Sequence, residues 1–137
     1  MHSIRRCFFA VLVLLMAAHP AATQDAGRSG AAQSLSARLV GYWLEYGRSE
    51  NLVNFTADGR ISMYLRKGEI GDLHTLDGKW TLSPDGRITM VFALRGREIS
   101  QSGTISFVGG DMILVDERGV KTSHHRHTGP LPAWTQW

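Results

Sequence analysis

The chain has 137 residues, with 15 Lys and Arg against 12 Asp and Glu, a formal net charge of +3 and a single cysteine. That length suits one domain, and one cysteine excludes an internal disulfide framework. The charge is no nucleic-acid signal either: Arg5 and Arg6 precede the domain, leaving 13 basic residues (15 less 2) against 12 acidic, and Arg48, Arg60, Arg87, Arg97 and Arg118 stand singly in turns or at strand ends rather than in a cluster.

From the first residue, Arg5 and Arg6 lead an apolar run from Cys7 to Ala18, and small residues follow around Pro20 to Thr23. This is the pattern of a secretory signal peptide over 1–23. The run is shorter than the ~20 apolar residues of a finished membrane anchor, and no second long apolar run follows, so no membrane span is expected. Cleavage near Ala22 or Thr23 removes Cys7, which lies too early to accept a lipoprotein anchor. The mature chain is therefore expected to be periplasmic or secreted, without thiol or lipid. Residues 24–37 are small and polar and read as a flexible leader, in which 35–39 can form one helical turn. A barrel domain over 38–128 and a tail over 129–137 complete the division.

Eight strands are predicted, over 41–46, 51–56, 60–66, 78–83, 87–94, 97–107, 112–116 and 120–127, each with alternating polarity. Three connections share one form, three residues ending in glycine: Ala57-Asp58-Gly59, Pro84-Asp85-Gly86 and Glu117-Arg118-Gly119. Two more read as two-residue turns, Arg95-Gly96 and Gly109-Gly110. A three-residue loop pairs residues of equal parity and a two-residue loop pairs opposite parity, so each hairpin dictates which side chains share a face. The first loop sets Phe55 against Ile61 and Val53 against Met63; the second sets Leu82 against Ile88 and Trp80 against Met90. Arg95-Gly96 sets Phe92 against Ile99 and Met90 against Gln101. Gly109-Gly110 sets Phe107 against Met112 and Ile105 against Leu114, and the last loop puts Leu114 opposite Thr122 and Met112 opposite His124.

One face of this meander is apolar from Val53 through Leu114, and the other carries Ser62, Lys79, Thr81, Thr89, Ser100, Ser102, Thr104 and Ser106. Eight antiparallel strands with one wet face stack or close, and closure removes the exposed edges. The nearest-neighbour hairpins predict an all-β, eight-stranded antiparallel up-and-down barrel.

Gly41-Tyr42-Trp43 after a short turn resembles the Gly-x-Trp opening of the lipocalins and their calycin relatives, and Arg126 in the last strand resembles the arginine that packs across that tryptophan. The likeness spans roughly Leu39 to His127 and is nearest to compact bacterial lipocalin-like domains. The family's middle Thr-Asp-Tyr motif is absent; Gly110-Asp111 stands there. The resemblance implies a barrel floor of Trp43 and Arg126 and a small hydrophobic molecule held inside. An eight-stranded barrel is wide enough for one small ligand or for its own side chains alone, so a filled core acting as a protein-binding module or protease inhibitor stays open, as does a rarer isomerase or cyclase.

If Trp43 lies beside Arg126, antiparallel pairing puts Glu45 opposite His124 and Gly47 opposite Thr122, all inward, with Gln101 on the same lining. Opposite charge is then expected to favour the ionised form of each partner. The candidate ligand-binding residues are Glu45, Met63, Trp80, Met90, Phe92, Gln101, Met112 and His124, the thioethers because they suit adaptable pockets. No catalytic motif is recognisable, so no enzyme is expected, and no cofactor. His125 and His127 share a strand face, but two ligands are too few and His74 lies elsewhere in sequence, so no metal is expected there. Asn54-Phe55-Thr56 matches a glycosylation acceptor too short to carry weight. Finally, Tyr42, Leu44, Tyr46, Ile113 and Val115 put apolar groups on the wet face. The tail, anchored by Trp134, or a second subunit in a homodimer is expected to cover them.

Overall fold

Hairpin chemistry lays the sheet out in chain order. The computed structural model describes residues 35–47 and 51–137; the expected signal peptide with its cleavage site, the leader up to residue 34 and Arg48 lie outside the described residues. Eight antiparallel strands follow one another: β1 (Gly41–Glu45), β2 (Leu52–Phe55), β3 (Arg60–Tyr64), β4 (Thr75–Leu82), β5 (Arg87–Leu94), β6 (Arg97–Val108), β7 (Asp111–Asp116) and β8 (Lys121–His127). Each pairs with its neighbours in sequence, and β8 pairs with β1. The sheet is a closed up-and-down barrel, the all-β, lipocalin-like architecture that the turn pattern predicted. No helix among the described residues is long and apolar enough to cross a membrane.

The three glycine-ended loops are built alike. Gly59, Gly86 and Gly119 hold φ of 85°, 87° and 80°, the left-handed conformation glycine adopts without a Cβ penalty. In each loop the residue before it offers a side-chain oxygen to the amide four residues on: Arg60 N donates to Thr56 Oγ1 at 3.0 Å, Arg87 N to Ser83 Oγ at 3.0 Å, and Val120 N to Asp116 Oδ1 at 2.9 Å. Three hairpins thus reuse one local solution, and it sets their register.

The register follows the parity argument throughout. Phe55 pairs with Ile61 and Val53 with Met63, Trp80 with Met90 and Leu82 with Ile88, and Phe92 with Ile99 and Met90 with Gln101. Phe107 pairs with Met112 and Ile105 with Leu114, Leu114 with Thr122 and Met112 with His124. Closure sets Trp43 against Arg126 and Glu45 against His124. Most strands end one or two residues away from the expected positions, and two differences are larger in effect. β4 starts at Thr75 rather than 78, because Thr75 to Gly78 pair with Tyr64 to Ile61, and at Gly78 the backbone of β5 comes so close that a Cβ would lie 2.1 Å from Val91 O. Gly47 does not reach Thr122: β1 ends at Glu45, and the last bond is Tyr46 N to Ser123 O at 2.9 Å.

The inward face forms one core around Trp43, Phe55, Ile61, Trp80, Ile88 and Phe92, each such side chain contributing about 1.5–3 kcal/mol on burial. One end is closed by the helical turn over 35–39. Its last carbonyls lack helical partners and are met by the barrel: Trp43 Nε1 donates to Leu39 O at 2.7 Å, Arg126 Nη1 to Val40 O at 2.9 Å, and Arg126 Nη2 to Arg38 O. The Arg126 guanidinium lies 4.3 Å from the Trp43 ring centroid, the floor that the sequence implied. Gly41, at φ 127°, carries no Cβ because one would fall 2.6 Å from Arg126 Nη1.

The tail takes another route than expected. Trp134 lies under the Arg66 guanidinium at 4.4 Å, Trp137 stacks on His74 at 4.1 Å, and Trp137 Nε1 donates to Leu65 O at 3.1 Å. The tail therefore leaves β8 and ends at the far end of β3, two strands beyond β1, rather than ending over the patch of β7, β8 and β1 that it was expected to cover. Leu52, whose parity points it outward, is 0 % exposed, and burial, together with the neighbouring Tyr42 hydroxyl, pushes Tyr64 up to about 12. On the other side Tyr46 stays 52 % exposed, its ring 4.6 Å from His125 and its hydroxyl donating to Asp111 Oδ1 at 3.2 Å. Trp134 is not the anchor for Ile113 and Val115, because aromatic and cationic partners near Leu65 hold it elsewhere.

Candidate functional site

Period-two alternation aims β2, β3, β5, β7 and β8 at a common interior space. A cavity of about 20 Å³, counted as space open to the centre of a water molecule, lies there. Met63, Met90 and Met112 line it, with Val53, Phe55, Ile61 and Leu114 completing the apolar wall. Two polar residues, Asn51 and His124, interrupt that wall. The volume suits about one water molecule.

Behind the polar side of the cavity stands a carboxylate. Glu45 and His124 are cross-strand partners of β1 and β8, and Glu45 N donates to Asn51 O at 2.9 Å. Asn51 Nδ2 in turn donates to Glu45 Oε2 at 2.9 Å. Glu45 is 8 % exposed, Asn51 9 % and His124 2 %, so three polar side chains, on β1, just before β2 and on β8, are buried together. Glu45 fixes which way the Asn51 amide points, and Asn51 and His124 face the cavity. Removing such groups from water costs several kcal/mol unless they are hydrogen-bonded, and a barrel wanted only for packing would be apolar here.

The charge expectation for His124 is overturned. Burial in the apolar wall pushes its pKa down to about 4, with the neighbouring His125 adding to the effect and a backbone hydrogen bond at Met112 opposing it. Desolvation dominates, and the imidazole is neutral at pH 7.

Of the residues predicted to bind ligand, Met63, Met90, Met112 and His124 come together on the cavity wall. Glu45 stands one bond behind it. Trp80, Phe92 and Gln101 do not reach it: Trp80 is spent on Phe55, at 5.8 Å edge to face, and on Thr56 O at 3.1 Å, and Phe92 is core. Gln101 lies beside Met90 with Oε1 buried and accepting no hydrogen bond from the protein. Asn51 was missed as a site residue although its parity, odd like Val53 and Phe55, marks it as inward. His125 and His127 point outward, His125 against Tyr46 and His127 to Pro130 O at 2.9 Å, and His74 stacks on Trp137 at 4.1 Å. Among the described residues no three His, Cys, Asp or Glu side chains converge on a metal geometry. No family model matches the chain, and no curated protein is detectably similar to it.

Proposed function

We propose that the chain is an exported, lipocalin-like barrel that binds one small, largely apolar molecule in its interior, its polar head group held by Asn51 and His124. The observation that carries this reading is the buried Glu45, Asn51 and His124 cluster opening onto a wall of three thioethers and aliphatic groups. Few, fixed polar groups in an apolar cavity are the usual form of a small-molecule site. Kinship with the calycins is supported by Gly41, Trp43 and Arg126 with the contacts that link them. Export to the periplasm or medium is supported by the basic and apolar composition of residues 5–18. Binding without turnover is the reading adopted.

The cavity sets the terms. At about 20 Å³ it is far below the ~300–1,000 Å³ of ordinary ligand pockets, so a ligand enters only as Met63, Met90 and Met112 swing aside. Unbranched thioethers allow that. The same small volume favours the second reading, a filled barrel that acts from its outer surface as a protein-binding module or inhibitor. Calorimetric titration with short-chain alcohols, acids and amines separates them. The expected result is one molecule per chain, weakened about tenfold in His124→Ala, the value of one neutral hydrogen bond, with the melting transition still cooperative. A chain that takes up none of these probes, and whose methionine methyl resonances never move, has the filled core.

A further inference from the structure

Three methionines and one histidine on a single small cavity are also a donor set. Met63, Met90, Met112 and His124 come from four different strands, β3, β5, β7 and β8, and all four side chains reach the same space. Met112 and His124 are direct cross-strand partners, so a thioether and an imidazole stand side by side on one wall, while Met63 and Met90 approach from other strands of the barrel.

We propose that these four side chains form an intramolecular binding site for a soft monovalent metal ion, copper(I). Thioether sulfur selects soft ions, and imidazole serves copper as well. Zinc asks instead for thiolate, imidazole and carboxylate ligands, and the mature lining has no thiolate and no carboxylate on its wall. The space also fits: about 20 Å³ admits one water-sized body, too little for most organic ligands but ample for one ion around which flexible thioethers can close. The rest of the lining, Val53, Phe55, Ile61 and Leu114, is apolar, surroundings that favour the lower oxidation state. A second layer is present as well. Asn51, tied to Glu45 at 2.9 Å, stands on the same wall as His124, where it can steady the ring. Core filling is the ordinary use of methionine, and the distinguishing fact is convergence: all three methionines among the described residues face one cavity with its only histidine.

This site shares its cavity with the organic ligand proposed above but does not require one. The test uses the full chain, labelled at the methionine methyl groups, titrated with silver(I) as a redox-inert probe and then with copper(I) under reducing conditions. The expected result is stoichiometric shifts of the Met63, Met90 and Met112 methyl resonances and a rise in melting temperature that scales with free metal. Zinc(II) should move none of the three. Met63→Leu, Met90→Leu and Met112→Leu conserve volume and so keep the fold. Each should weaken silver(I) binding by about 100-fold or more, at least the loss seen when a ligand's outer partner is removed. Two results overturn the proposal: methyl resonances that stay put at saturating silver(I), or a triple Met→Leu variant that binds at the same site as tightly as the native chain. Silver(I) binding without uptake of any organic probe leaves this site standing and removes the organic ligand; the reverse removes the metal alone.

Discussion

Arg126 sits where four requirements meet. Its guanidinium stacks on Trp43 at 4.3 Å, donates to Val40 O and Arg38 O, and occupies the space a Cβ at Gly41 would need. Lysine has no planar group to stack and lacks the fixed fork by which the guanidinium reaches both carbonyls while lying on the ring, so Arg126→Lys should destabilise the fold by about 1 kcal/mol, a partly exposed cation–π contact plus one net hydrogen bond. Urea unfolding would read this as a lower midpoint at unchanged slope; an unchanged midpoint would mean that the floor is held by Trp43 alone. Gly41→Ala meets both a φ of 127° and the guanidinium at 2.6 Å and should cost about 1–3 kcal/mol. His124 provides a different handle. In the native chain its pKa is about 4 against the ordinary histidine value of 6.5, so between those values the unfolded chain takes a proton that the native chain refuses. Stability from this group is complete above pH 6.5 and is lost as pH falls toward 4, with a slope of about 1.4 kcal/mol per pH unit. His124→Gln should flatten that slope, and an identical pH profile in the variant would place the titration elsewhere. The partners of Trp43 and His124 were legible from the sequence because closure of a period-two sheet leaves each inward residue one opposite number. The neutral state of His124 was not, since it depends on how completely the apolar wall excludes water.

At the scale of elements, legibility tracks locality. The loops at Thr56–Arg60, Ser83–Arg87 and Asp116–Val120 settle their own geometry within five residues, and from them three hairpin registers could be read, with two more from the turns Arg95-Gly96 and Gly109-Gly110. The start of β4 could not: Thr75-Leu76-Asp77-Gly78 has one inward apolar residue and a glycine, a loop by composition, and it is a strand only because β3 lies alongside. The tail is the extreme case. Its destination depends on Arg66, His74 and Leu65 O, none of which is near it in sequence. The thioether site escaped for another reason: a search for nitrogen and oxygen ligands passes over methionine, although parity alone puts Met63, Met90, Met112 and His124 on one face. The tail's docking has a measurable consequence. Deleting residues 130–137 removes both tryptophans that dock just past β3, Trp134 on Arg66 and Trp137 on His74 and Leu65 O. The truncated protein should self-associate in sedimentation runs and exchange amide hydrogens faster over 65–74. A monomer with native exchange there would show that the strap is dispensable.

For the molecule as a whole, the defining event is closure of β8 on β1. Those strands are joined through pairs from Glu45 with His124, 79 residues apart (124 less 45), to Tyr42 with His127, 85 apart (127 less 42), whereas every other pairing is between sequence neighbours. Closing so long a loop carries an entropic cost that the local hairpins do not, and such distant contacts slow folding. Closure should therefore be the late step, after a meander that the hairpin loops can form one by one. The connectivity offers a direct check. The start of β1 and the end of β8 are partners, so the two ends of the domain lie side by side, the arrangement in which circular permutation is tolerated. Opening the chain between Arg118 and Gly119, an exposed hairpin tip, and joining residue 137, which the tail carries to the end of β3, to residue 35 through a Gly/Ser linker long enough to return to the floor would bring β8 and β1 closer in sequence and make β7–β8 the distant pair. β7 and β8 keep four residue pairs in register, as many as β8 and β1, so the permutant should reach the same barrel with near-native stability. What should change is the order of events: in stopped-flow refolding, the Trp43 fluorescence that reports the floor should develop early in the permutant and late in the native chain. If Trp43 is buried at the same stage in both, with overall rates equal, closure is not the limiting step, and the barrel condenses around its floor from the start.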